Sequence, residues 1–455
     1  MVFDLTYHLT FQVDNPKLLI LPYTAVQVEN RNGIAPHAGL KPFPSGWSAE
    51  GFALVRTSVI RYAPSMKKQW QILSPDPQVV GSLSHQIGCS PLIARLLTIR
   101  GIQSKAQATR FLNPSLDHLT PPLELAGMDH AVKRIHRALT AAEKILVFGD
   151  YDADGITATA LLVNFLRRCG AQVSYYIPHR IADGYGLSID FITQRALPAG
   201  VGLIITVDCG SGSQEAISLA RQAGIHTIVT DHHPVDRLPE SAIAVINPTR
   251  PDCKANLSHL AGVGVAFYLA IAVRTHLRQS GFWKNRSEPN LKQLCDLVAV
   301  GTVADVAPLI AENRALTTAG LQQINQDGRT GIEALMRMSG LTAAPADAES
   351  IAFRLAPRLN AAGRLVHARM ACELLLTRDR QKAKRLAGAL CRLNNRRQTM
   401  EKDLLELIQN RLAGSPGHLS HPVLVVHGKG WHEGILGIVA SRLTRQYHRP
   451  AVVIS

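Results

Sequence analysis

Residues 144–168 read KILVFGDYDADGITATALLVNFLRR, an unbroken apolar run that meets three aspartates, Asp150, Asp152 and Asp154, before a helical stretch begins at 156. A run that short, closed by a glycine, reads as a fully buried strand. Further apolar runs at 172–177, 202–207, 226–230 and 242–246 alternate with helical stretches such as 212–222. Strand-helix-strand repetition predicts an α/β fold with a parallel sheet and covering helices. Four of the strands lead directly into Asp150, Asp208, Asp231 and Asn247. Open parallel sheets bind ligands at the carboxyl ends of their strands, so these residues mark the expected site.

The residue types at those ends point to a metal. Beside the three aspartates stand Asp208 in ITVDCG, His232 in TDHH and Asp305 in VGTVADV. Crowded carboxylates repel one another unless a cation gathers them, and the implied chemistry is metal-assisted hydrolysis. Taken singly, an aspartate-rich turn is more often a cap or turn, and Asp208 or Asp305 an ordinary loop or helix residue; their combination reverses that reading. A calcium-binding EF-hand loop is excluded, because the position that must carry its glutamate is Leu161. The paired histidines can supply one metal ligand and one proton donor or phosphate contact. Asp208 and Asp305 are placed to complete a two-metal cluster, whose ions typically lie ~3.5–4 Å apart.

At 455 residues the chain exceeds one compact core, and two or three domains are expected. Its 49 Lys and Arg against 34 Asp and Glu, a net charge of +15, favour polyanionic partners, nucleic acid first. The seven cysteines are scattered without a CxxC pair, as for reduced thiols in a cytoplasm. No long uncharged apolar run and no signal-peptide pattern appears, so neither a membrane partner nor export is expected.

Residues 1–65 carry six prolines and little periodicity, and read as an irregular extension, over-extended from a natural start at Met66. A helical lead-in is expected over 66–140, the α/β domain over 141–375 and one long amphipathic helix over 378–413. That helix carries ten Lys or Arg against four Asp or Glu, with the excess at Lys382, Lys384, Arg385, Arg392, Arg396 and Arg397. Its basic face is equally readable as solvated or as phosphate-contacting. Beyond it, 422–426 reads as a strand, 434–446 as a helix and 451–454 as a second strand, left unpaired by a domain that stops short.

GDYDADG, ITVDCG, TDHH and VAVGTVADVAPL together resemble the DHH phosphoesterase superfamily, and within it the single-strand-specific DNA exonucleases. The likeness covers about Met66 to the last residue, and HRIADGYGLS, LAGVGVAF, RLNAAGRL and GWHEGILGIVASRL extend it. It implies that Asp152, Asp154, Asp208, His232 and Asp305 hold Mn2+ or Mg2+, two ions in all. Asp150 then serves as a ligand or supports one, and His233 contacts or protonates the phosphate. Asn360 and Arg364 are placed at the scissile phosphate by the same resemblance. Arg180, His432, Gly434, Gly437 and Arg442 would contact nucleic acid, the last four from a smaller α/β domain of DHHA1 type. Where related pyrophosphatases carry a histidine four residues before the first ligand aspartate, this chain has Phe148, which weakens one metal position.

The implied activity is 5′ to 3′ hydrolysis of single-stranded DNA in repair and recombination, by a cytoplasmic monomer. Strand selection would come from a narrow basic cleft between the two domains, with a helicase or single-strand-binding protein as partner. The alternatives are a small-substrate phosphodiesterase for short oligonucleotides or cyclic dinucleotides, and an inactive nucleic-acid-binding remnant. The remnant reading rests on the chain's end at Ser455 and on the absence of a GGH tripeptide.

Overall fold

A computed structural model describes residues 72–455 apart from 343 and 415; the expected irregular extension at 1–65 and the start at Met66 lie outside the described residues. Five strands form one wholly parallel sheet: β1 (Lys144–Gly149), β2 (Gln172–Tyr176), β3 (Leu203–Val207), β4 (His226–Thr230) and β5 (Ala244–Ile246), in the order β2-β1-β3-β4-β5. The chain leaves β1 for β2 on one side and returns to β3 on the other. That change of direction opens a crevice at the carboxyl ends of β1 and β3.

Alternate residues of these strands feed two cores. Ile145, Val147, Leu203 and Ile205 face one layer of helices, and Leu146, Phe148, Ile204 and Val229 face the other. Both faces are therefore covered, which is why the strands are apolar throughout rather than alternating. Between β1 and β2 runs the helix Ala153–Arg168, buried almost all round from Ala153 to Val163. It is flanked by the helices Gly262–Gln279 and Cys295–Ala304.

Ahead of the sheet, three short helices, Pro77–Ile87, Pro91–Ile99 and Lys105–Leu112, close a small core of their own around Leu83, Ala94, Leu97 and Ala108. Arg314 holds this lead-in, donating from Nε to the Phe111 carbonyl at 2.6 Å with its guanidinium 3.9 Å from the Phe111 ring centre.

Tertiary contacts divide the chain into a large unit from Leu73 to Arg397 and a second unit whose described part is residue 72 and 398–455 apart from 415. The long helix runs over Arg380–Gly414, close to the expected bounds, so the division falls inside it rather than at its ends. In the second unit β6 (Leu424–His427) pairs in parallel with β7 (Ala451–Ile454), and the helix Glu433–Tyr447 connects them. The expectation of an unpaired final strand is thus corrected: each β7 residue from Ala451 to Ile454 finds a register partner in β6. Among the described residues no helix is long and apolar enough to cross a membrane.

Candidate metal centre

The site follows from strand register. Gly149 lies opposite Val207, Val207 opposite Thr230, and Thr230 opposite Ile246, so the four strands end level. The next residue in each is therefore Asp150, Asp208, Asp231 or Asn247, side by side along one edge. Asp208 turns there with φ +61°, a left-handed conformation costly for a side-chain-bearing residue and one of the strained geometries that gather at functional sites.

The three alternate aspartates do not continue as a strand. Asp152 is the N-cap of the helix Ala153–Arg168, its Oδ1 accepting from the Gly155 amide at 3.0 Å, and Asp154 sits in the first turn. Asp154 is fully buried and held by both oxygens, from the Gly262 amide at 2.6 Å and the Val263 amide at 2.9 Å. Those two donors open the helix Gly262–Gln279, whose dipole favours the carboxylate. A side chain at position 262 would collide with the Asp208 carboxylate, so glycine is the residue that lets this helix end approach.

Three overlapping groups of ligand atoms result, each within 4.8 Å: Asp154, His232 and Asp305; Asp150, Asp152 and Asp208; and Asp208, His232 and His233. All six expected carboxylate and imidazole ligands are thus brought together, with Asp305 delivered from the end of the helix Cys295–Ala304. His232 Nε2 lies 3.1 Å from Asp208 Oδ1 and 3.8 Å from Asp154 Oδ2. Asp150 Oδ1, Asp208 Oδ1 and His232 Nε2 are buried without a hydrogen-bond partner, which is costly unless a cation takes their lone pairs. A hard, oxygen-rich donor set with one or two imidazoles suits Mg2+ or Mn2+.

Electrostatics agree with that fit. Burial, then the charge of Asp152, pushes Asp150 well above the usual carboxylate range; burial, then Asp305 and Asp152, does so for Asp154, and burial, then Asp154 and Asp152, for Asp208. Asp305 is pushed up to about 7 by burial and Asp152. His232 falls to about 4 through burial and the neighbouring His233, so it stays a neutral ligand at pH 7. His233 moves the opposite way: burial opposes its charge, but Asp231 outweighs that and lifts it to about 9.

Asp231, marked in the sequence by its place at a strand end, was given no role there. Its Oδ1 accepts from His233 Nδ1 at 2.8 Å and from the His232 amide at 2.8 Å, while Oδ2 accepts from the Ser211 amide at 3.0 Å. It orients both histidines. Tyr185 was missed likewise; its hydroxyl lies 3.2 Å from His233 Nδ1 and 3.3 Å from the Asp208 carbonyl. HRIADGYGLS was the available signal, and it also places Arg180, whose guanidinium stacks 4.7 Å from the Tyr151 ring centre.

The structure brings Asn360 to the acidic loop: its Oδ1 accepts from the Ala153 amide at 2.8 Å, between two candidate ligands, so this acceptor braces the loop. The helix Ala356–Leu365 makes a second contact there, because Gly363 packs on the Tyr151 carbonyl too closely for any side chain. Arg364 follows, half-buried, close enough for its charge to act on Tyr151. Phe148 packs in the aromatic core, 4.9 Å from Phe191 and 5.7 Å from Tyr176, and provides no ligand.

In the second unit His432 caps the helix Glu433–Tyr447, its Nδ1 accepting from the Gly434 amide at 3.1 Å, and Gly434 and Gly437 are buried. Arg442 Nε pairs with the buried Glu401 at 2.5 Å, so part of its fork is already engaged. His432 thus caps the helix, the two glycines pack, and Arg442 keeps about half of its side chain exposed.

The sheet, its switch point and the acidic cluster define a domain of the DHH class: residues 144–302 match the family model "DHH family, N-terminal domain". The chain is 41% identical over 398 residues to the single-stranded-DNA-specific exonuclease RecJ of Salmonella typhimurium, covering 86% of this chain and 67% of that protein. It is 37% identical over 393 residues to RecJ of Bacillus subtilis, covering 85% of this chain and 47% of that one. The crystal structure of Thermus thermophilus RecJ in complex with Mn2+ superposes with a TM-score of 0.71 at 35% identity, covering 85% of this chain and 53% of that chain. The chain belongs to the RecJ family, and it spans between about half and two thirds of the length of these relatives.

Proposed function

We propose that this chain hydrolyses phosphodiester bonds of single-stranded DNA with two divalent ions, Mn2+ or Mg2+, acting from the 5′ end in DNA repair and recombination. One observation carries the reading: buried, partnerless ligand atoms of Asp150, Asp208 and His232 converge within overlapping three-residue clusters at the sheet's carboxyl edge. The relatives' descriptions as single-stranded-DNA-specific exonucleases and the Mn2+ bound in the Thermus structure support the substrate and the metal.

Asp154, His232 and Asp305 would hold one ion and Asp150, Asp152 and Asp208 the other. Bound there, the ions would acidify a water and offset charge on the phosphoryl oxygens. Asp154 needs no rearrangement to serve, since two amides already fix it. His233, charged at neutral pH and with Nδ1 committed to Asp231, keeps Nε2 for a phosphate oxygen or for protonating the leaving oxygen. Arg180 and Arg364 place cations by Tyr151 for the strand's phosphates.

The test is release of nucleotides from 5′-labelled single-stranded and duplex DNA with Mn2+, in the native chain and in Asp154→Ala. Single-strand-selective release that disappears in the variant is expected. Unchanged turnover in Asp154→Ala, or hydrolysis confined to dinucleotides, overturns the reading.

A further inference from the structure

Away from the metal cluster, the helix Thr330–Met338 and the first turns of the long helix border an open cleft of about 330 Å³. It sits wholly within the larger unit, and none of its lining residues belongs to the metal centre. Arg337, Arg380 and Lys384 line it, with Glu333 as the opposing charge and Ala334 and Met338 as an apolar wall. Arg380 and Lys384 stand four residues apart and so share one helix face. Among the described residues none of the three cations has a side-chain ion-pair or hydrogen-bond partner, whereas neighbouring Lys382 pairs with Glu373 at 3.2 Å and Arg369 with the same carboxylate at 3.0 Å. The wall is fixed from behind: the Cys391 thiol donates to the Met338 carbonyl at 3.6 Å, and the Met338 methyl lies beside Gly388 of the long helix.

The three cations are exposed, and set around one concave, partly apolar space they add to a single positive potential there. The net excess of two charges, over Glu333, matches a phosphate monoester, which carries about −1.5 to −2 at neutral pH. Two arginines offer forked donors for its oxygens. The volume falls within the range of about 300–1,000 Å³ usual for small-molecule sites, and a methionine thioether makes favourable contact with a flat aromatic ring. We infer that this cleft is a second nucleotide-phosphate site, binding a phosphoryl group with its base laid against Met338 and Ala334. Two sources share that chemistry: a free mononucleotide of the kind the proposed reaction releases, and a phosphate of a bound single strand.

The experiment uses the full chain in EDTA, so that metal-dependent binding and hydrolysis play no part. Thymidine 5′-monophosphate binding is followed by calorimetry and fluorescein-labelled oligothymidylate binding by anisotropy, in the native chain and in Arg337→Glu/Arg380→Glu. The expected result is at least tenfold weaker binding of one or both probes, with the oligonucleotide's salt slope flattened by about 0.7 for each phosphate that the variant no longer neutralises. Weakening of the mononucleotide alone assigns the site to free nucleotide, and weakening of the oligonucleotide alone assigns it to the strand. Arg337→Lys/Arg380→Lys, which keeps the charge, should retain most of the binding and guards against misfolding of the reversed variant. Equal affinities of native and charge-reversed chains for both probes, at matching melting temperatures, overturn the proposal. Loss of nuclease activity would not touch it, because nothing in the measurement requires turnover.

Discussion

Adding Mn2+ to the metal-free chain at pH 7 should expel protons. Asp305 is pushed up to about 7, and Asp150, Asp154 and Asp208 are held well above the carboxylate range by burial and mutual repulsion, so the metal-free cluster keeps protons to higher pH than ordinary carboxylates do. The carboxylates titrate as a group, and a metal accepts only their ionised form. Raising Asp305 from 3.8 to about 7 corresponds to roughly 4 kcal/mol at most, taking about 1.4 kcal/mol per unit. The sign is fixed: the unfolded chain ionises these groups first, so metal-free stability falls as pH rises from about 4 through 7, and metal restores it. Saturation at a hundredfold excess over Kd adds about 2.7 kcal/mol, visible as a raised Tm. Calorimetric titration in buffers of different ionisation enthalpy counts the protons, and at least one per chain is expected at pH 7, with affinity rising tenfold per pH unit for each. An observed heat that is independent of buffer, together with an affinity that does not change between pH 6 and 8, would refute the reasoning.

Three other perturbations are as specific. Asn360→Ala leaves the buried Ala153 amide without its acceptor, a loss of about 1–3 kcal/mol; Mn2+ affinity measured by thermal shift should fall about tenfold or more, and an unaltered affinity would remove the bracing role. Gly262→Ala drives a methyl group into the Asp208 carboxylate, so the metal-induced rise in Tm should shrink sharply although the substitution normally favours a helix; an undiminished rise would contradict the close approach. Glu312 accepts from Thr120 at 2.8 Å and lies 2.8 Å from His259 Nε2, and although burial opposes ionisation these partners bring it down to about 2 from 4.5. Its contribution, roughly 3 kcal/mol at most, is present above pH 4.5 and lost as pH falls toward 2. Denaturant melts of Glu312→Gln should therefore show a gap to the native chain that closes on acidification, and a gap constant with pH would exclude the linkage.

The sheet was legible because buried parallel strands announce themselves as apolar runs, and β1, β4 and β7 fall within the expected limits. The ligand set was legible for the same reason: each acidic residue follows a strand or helix end that the letters mark. What holds the ligands was not. The donors to Asp154 are backbone amides at Gly262 and Val263, and an amide carries no letter of its own; LAGVGVAF gave only the small residue that makes room. The bracing role of Asn360 was not legible either, because a letter does not tell which of its atoms is already engaged. Tyr185 and Asp231 act through other side chains rather than as ligands, a role that spacing cannot express.

The level ending of the strands bears on when the molecule becomes able to act. The cluster is assembled from residues 150 to 305 and its acidic loop is braced by a side chain at 360, so none of the intervening elements forms the site on its own. During synthesis the chain must extend well past its first aspartates, and the sheet must settle into register, before any ion finds a complete cage. A ribosome-bound piece ending ahead of residue 305 thereby lacks one of the cluster's carboxylates.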